Sequence, residues 1–166
     1  MKNSDPRHAK LSELDRVYNP ALGAFLIWRV SQGHFAESSL GLPLPAAFVI
    51  LPIALHAQSR RVLEGTFPSS GLSLFAAKLG NQQEDLLAVH ERALALRSLS
   101  LASLSAGVMS KMLYLDPDAA KILPLDPAPP KPPPDIMKLG KACEKLGEWF
   151  ARMPLEQLAT TLRIAF

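Results

Sequence analysis

Between Ser38 and Ser59 the chain carries no formally charged side chain, counting His56 as neutral. Within that window, Leu40 to Leu55 is sixteen residues of nothing but apolar side chains, one glycine and three prolines (Pro43, Pro45 and Pro52). The run then switches abruptly to Gln58, Ser59, Arg60 and Arg61. Burying apolar surface is worth about 25 cal/mol per Å², so any fold open to this chain must cover the stretch. A membrane-spanning helix needs about 20 apolar residues with every backbone N–H satisfied. Here the strictly apolar run is shorter, and three prolines without an N–H interrupt it. The stretch therefore reads as a buried core segment, with a membrane-associated helper as a rival. It predicts a helix from Pro45 or Ala46 to about Leu63, kinked or broken at Pro52 because the residue before a proline, Leu51, is pushed from the helical region.

At 166 residues with 48% hydrophobic side chains, the chain is long and apolar enough for one domain with a real core. That excludes general disorder. A net charge of +3 permits nucleic acid as a partner without calling for it, because the telling sign is basic residues gathered on one face. The single cysteine, Cys143, excludes an internal disulfide and suits a reducing compartment. MKNSDPRHAK has no apolar core of a secretory signal, so a cytoplasmic location is expected.

Taken in order, residues 1–16 are polar and of mixed charge, and read as a flexible N-terminal arm ahead of a single domain over 17–166. Tyr18-Asn19-Pro20 is a helix start: Asn19 suits the cap and Pro20 the first helical position. Leu22, Phe25, Leu26, Arg29 and Val30 then fall at helical spacing, predicting a helix from Ala21 to about Gln32 with Gly33 as its stop. His34–Leu42 reads as a loop, and Trp28 flanks the apolar face. Gly65–Ser70 is turn chemistry, and a short helix over Leu72–Leu79 ends at Gly80. Asn81-Gln82-Gln83-Glu84 has the form of a capping box for a long pattern through Val89, Leu96, Leu99, Ser100, Ser103 and Leu104, expected to break near Arg97–Ser100 or Gly107. Met112–Leu115 and Lys121–Leu125 flank Asp116-Pro117-Asp118, predicting a β-hairpin over 112–125. DPAPPKPPPD, residues 126–135, is a proline-rich linker of extended polyproline type; it reads as a stiff spacer, with recognition by an SH3-like partner the sharper alternative. Ile136–Met153 is a helix with Leu139, Cys143, Leu146 and Phe150 on one face and Lys138, Lys141, Lys145 and Arg152 on another. A short helix over Leu155–Thr161 and a closing strand over Leu162–Phe166 complete the chain. The fold class is mainly α, of α+β kind: a helical domain with a small hairpin.

No catalytic signature emerges. There is no phosphate-cradling GxxxxGK[ST] loop and no GxGxxG after a strand. His8, His34, His56 and His90 are separated, none with a second ligand at metal spacing, so no metal or cofactor is expected. His56 reads first as a capping or hydrogen-bonded structural histidine, second as a site residue. Cys143 reads as a small buried hydrophobe. Asp116 and Asp118 beside Pro117 read as turn formers. Arg60-Arg61 solvates the end of the hydrophobic helix or contacts a partner's carboxylate or a phosphate. Glu144 and Glu148 interrupt the lysine face of the 136–153 helix, which therefore reads as solvated rather than DNA-binding.

The order Leu72–Leu79, Gln82–Ser110 and hairpin is that of a winged-helix-like unit. Glu84 and Asp85, at the start of the would-be recognition helix, oppose phosphate, so a protein-docking use fits better than a DNA-binding one.

The chain resembles the middle components of bacterial three-component ABC conflict systems, which are related to Lamassu-type anti-phage defence. The matching words are Tyr18-Asn19-Pro20-Ala21-Leu22-Gly23-Ala24; Leu42-Pro43-Leu44 with Phe48-Val49-Ile50-Leu51-Pro52-Ile53-Ala54-Leu55-His56; Arg60 or Arg61; and Lys145-Leu146-Gly147-Glu148-Trp149-Phe150-Ala151. The resemblance implies a non-enzymatic adaptor between an SMC-like ABC ATPase and an effector protein, a nuclease being one candidate, in antiviral or anti-plasmid defence. DNA would be touched through the complex, and no membrane is involved. It carries over no catalytic residue. Tyr18, Asn19, His56, Arg60, Arg61 and Trp149 are the partner-binding candidates. A winged-helix DNA-binding or transcriptional regulatory protein is the alternative.

Overall fold

The computed structural model describes residues 18–81, 83–126 and 131–166, with only the backbone of 83–86. The helix-start chemistry of Asn19-Pro20 is realised in α1, Pro20–Ser38. Asn19 Oδ1 accepts from the N–H groups of Ala21 (2.9 Å) and Leu22 (3.3 Å), two of the donors that a helix start leaves unpaired. The expected stop at Gly33 does not occur, and most of the expected loop over 34–42 is helix. The helix runs on to Ser39, whose left-handed conformation (φ 57°) closes it with an N–H to Phe35 O. Gly33 serves a long-range purpose instead. A Cβ there would lie 1.9 Å from Glu144 O, and one at Gly147 would lie 2.0 Å from Val30 O. Two glycines, one on each helix, let α1 and α7 (Pro134–Ala151) meet backbone to backbone, and this is the most extensive helix pair in the fold.

After α1 the apolar stretch enters a two-residue strand β1 (Leu42–Pro43), one 3₁₀ turn (Leu44–Ala46) and the short helix α2 (Ala47–Ala54). Every residue of α2 except Phe48 is buried. The expected break at Pro52 is displaced. Pro52 and the Leu51 before it both sit inside α2, and Leu55 N–H still bonds Leu51 O at 2.9 Å. A proline late in a short helix removes one bond without ending it. The chain turns at His56 instead, which takes an extended conformation and caps α3 (Ala57–Glu64) by accepting from Ser59 N–H at Nδ1 (3.3 Å).

Helix α4 (Gly71–Gly80) ends at the predicted glycine, with Asn81 as its C-terminal cap. The capping box expected at Asn81–Glu84 lies outside the described side chains. The long pattern that follows is two helices, α5 (Gln83–Ala95) and α6 (Arg97–Met109), divided at Leu96, one residue ahead of the expected zone. Of the predicted stripe, Val89, Leu99, Ser100, Ser103 and Leu104 are buried and Leu96, at the break, is half-buried. The hairpin forms as β2 (Leu113–Asp116) and β3 (Lys121–Pro124), with Asp116 Oδ1 accepting from the N–H groups of Asp118 and Ala119 in the turn. β1 adds to it, giving an antiparallel sheet in the order β1-β3-β2 with Leu42 opposite Ile122 and Leu115 opposite Ile122 on the other side.

Of the proline-rich linker, residues 127–130 lie outside the described residues; α7 begins at Pro134. Leu139, Cys143, Leu146 and Phe150 are buried as predicted. Lys145 departs from the expected solvated lysine face: its ammonium donates to Leu63 O (2.7 Å) and Thr66 O (2.6 Å) and lies 5.4 Å from the Trp149 ring centre. Helix α8 (Leu155–Leu162) is followed by no closing strand. Arg163 turns left-handed (φ 54°), its N–H reaches Thr160 O, and Ile164 N–H reaches Ala159 O, which is the bonding pattern of a Schellman end. That turn consumes the backbone donors a strand would have offered.

His34 ties the end of α1 to the apolar stretch, with Nδ1 3.0 Å from Leu40 O. Burial chiefly lowers its pKa, Lys121 adds to the effect, and the Leu40 carbonyl opposes it. The folded state thus resists the proton that the unfolded chain accepts near pH 6.5, so the unfolded state binds more protons and stability falls as pH drops. The contribution is whole above the unfolded pKa and is lost as pH falls towards the folded one. Urea midpoints measured from about pH 7.5 down to about pH 5 should decline, and His34→Gln should flatten part of that decline. A slope unchanged by the substitution would remove His34 from the account.

Candidate interaction surface

The six residues expected to meet a partner lie on three elements. Tyr18 is exposed at the start of α1, next to the capping Asn19. His56 caps α3, on which Arg60 is half-buried and Arg61 exposed. Trp149 is 0% exposed: its ring packs 5.8 Å from that of Phe75, and its Nε1–H donates to Pro68 O at 2.9 Å. It belongs to the core, three residues after Leu146 on the same buried face of α7 as Leu139, Cys143 and Phe150.

The titratable groups inside the fold serve packing. Burial pushes the Cys143 thiol up to about 12, so at neutral pH it is protonated and a poor nucleophile. Burial likewise lowers the Lys145 pKa, against the opposing pull of Glu64 and Glu148, while its donors are taken by backbone carbonyls. Arg29 pairs with Glu144 and donates to Gly140 O, bracing α1 against α7. Among the described residues, no group of three His, Cys, Asp or Glu side chains could hold a metal ion.

The outer face of α5 and α6 is different. Leu87, Leu94, Leu101 and Val108 recur at intervals of seven and are all exposed, Leu94 by 60%, Leu101 by 50% and Val108 by 43%. Met109, at the end of α6, is 81% exposed. Two grooves lie along this stripe. One, of about 330 Å³, runs between Leu44, Phe48 and Val49 on one side and His90, Leu94 and Arg97 on the other, with Ile164–Phe166 as a lip. The second, of about 380 Å³, is bounded by Leu101, Val108 and Met109 against Leu115 and Ile122 of the sheet. Leu44 and Phe48 line both, so they form one ridge between two apolar hollows. His90 Nδ1 is buried in the first with no hydrogen-bond partner. The two grooves offer a place for apolar side chains, with polar groups at one end of the first.

A family model described as ABC-three component (ABC-3C) system Middle Component 3, MC3, matches residues 8–166. The chain belongs to that family. No curated protein and no solved structure matches it. In this MC3 chain the words that carry the resemblance fall on structural positions: Tyr18–Ala24 opens α1, Phe48–His56 is α2 with the cap of α3, and Lys145–Ala151 is the end of α7, where Gly147 meets Val30 and His34 of α1 and Trp149 meets Phe75. No described helix of the MC3 chain is long and apolar enough to cross a membrane. Sequence reasoning missed the outward stripe. The signal was present as a leucine or valine every seven residues from Leu87 to Val108, alongside the inward set that the helical pattern selected.

Proposed function

We propose that this MC3 chain is a non-catalytic bridging subunit, linking an SMC-like ABC ATPase to an effector in a bacterial anti-phage or anti-plasmid defence complex in the cytoplasm. Membership of a middle-component family supports the place in a multi-protein system. The single observation that carries the adaptor role is the unpartnered apolar face of α5–α6, with two grooves sharing the Phe48 ridge. Exposed apolar patches of this sort on a chain of this size mark protein contacts.

The test is reconstitution. The chain, the ATPase and the effector encoded with it are purified separately and mixed in pairs and together. The expected result is one complex of all three, with ATPase and effector failing to associate when the chain is left out. An ATPase–effector complex that forms equally well without it would sink the bridging role. Salt-sensitive DNA binding by the isolated chain would instead favour the winged-helix regulator.

A further inference from the structure

We infer that the α5–α6 face is the seat for an amphipathic helix of another component of the same system, one that presents carboxylates beside its apolar side chains. The inference rests on the adaptor reading and adds which surface is used and what chemistry it takes.

Three observations converge. The apolar part crosses the joint at Leu96: Leu87 and Leu94 lie on α5, and Leu101, Val108 and Met109 lie on α6. Within each helix the exposed pair, Leu87 with Leu94 and Leu101 with Val108, is seven residues apart, the spacing that keeps two side chains on one face towards a second helix. The outer face of α5 carries Glu91 between Leu87 and Leu94, but among the side chains lining the two grooves the charged one is Arg97. Arg92 turns inward, donating to Pro52 O and Ser59 Oγ. Arg97 lines the first groove with His90, whose buried Nδ1 lacks a partner. A partner helix that fills the hollows beside Phe48 with apolar side chains brings a carboxylate to Arg97. Bare nucleic acid would match the positive charge but leave Leu94, Leu101 and Met109 wet.

The experiment uses the full chain co-expressed with the other components of its system. Leu101→Glu puts a like charge against the incoming carboxylates at a site already half exposed, so folding is kept and is checked by an unchanged melting curve. It should lower retention of one component at least about tenfold. Arg97→Glu should weaken the same association and reduce its salt dependence. Arg97→Lys should retain binding and allow carbodiimide to join residue 97 to an Asp or Glu in a helical segment of that component. If wild type and Leu101→Glu retain the component equally, the seat is elsewhere and the adaptor reading survives. If wild type retains no component, both readings fall. A change from dimer to monomer in Leu101→Glu would identify a second copy as the occupant, and DNA binding abolished by Arg97→Glu but not by Leu101→Glu would identify nucleic acid. Either would overturn the proposal.

Discussion

Gly147→Ala is expected to destabilise the protein by about 3 kcal/mol, at the upper end of what overpacking costs. The added methyl would stand 2.0 Å from Val30 O and 2.8 Å from His34 N, both backbone atoms of α1. Neither can swing away as a side-chain tip does, so the two helices must separate. With them would go the Arg29–Glu144 pair and the burial of Ile27, Val30, Cys143 and Leu146. For a chain of this length the loss corresponds to a fall in melting temperature of roughly 6–12 °C. Gly65→Ala is the comparison, because its methyl would meet only Arg61 O at 3.2 Å. Should chemical denaturation rank the two alanines equally, the contact between α1 and α7 at Gly147 does not limit stability.

Trp149→Ala should cost about 3–5 kcal/mol, the range for deleting a buried aromatic. The ring joins α7 to α4 through Phe75, to the turn at Pro68 through its N–H, and to the Lys145 ammonium through its face. Trp149→Phe keeps most of the volume and gives up the hydrogen bond, so roughly 1–2 kcal/mol is expected. Urea unfolding followed by circular dichroism separates the two. Because the side chain is fully covered, Trp149→Phe should leave partner retention untouched. A folded Trp149→Phe protein that no longer held its partner would return Trp149 to the contact surface.

What the sequence revealed and what it hid follow the range of the interactions involved. Asn19-Pro20, the hairpin around Asp116-Pro117-Asp118, and the buried face of α7 were legible because each is decided within a few residues. Gly33 was misjudged on the same local grounds: glycine does end helices, but here Glu144, far along the chain, decides its role. Pro52 similarly suggested a break that α2 absorbs, while the turn fell to His56, whose ring supplies the cap a serine or aspartate usually gives. The strand expected at the end of the chain failed because Arg163 adopts a left-handed turn that its residue type does not advertise. The α5–α6 stripe escaped notice because a search for the core selects the inward face and passes over a second, outward periodicity.

Pairing between α1 and α7 also has a consequence for synthesis. Arg29 and the Glu144 it meets are 115 residues apart in the chain. At about 5–20 residues per second, translation needs roughly 6–23 s to deliver the second after the first. Until the second emerges, the first helix lacks the cover that α7 provides. Each newborn molecule therefore passes through a stage at which chaperone capture and aggregation compete for it.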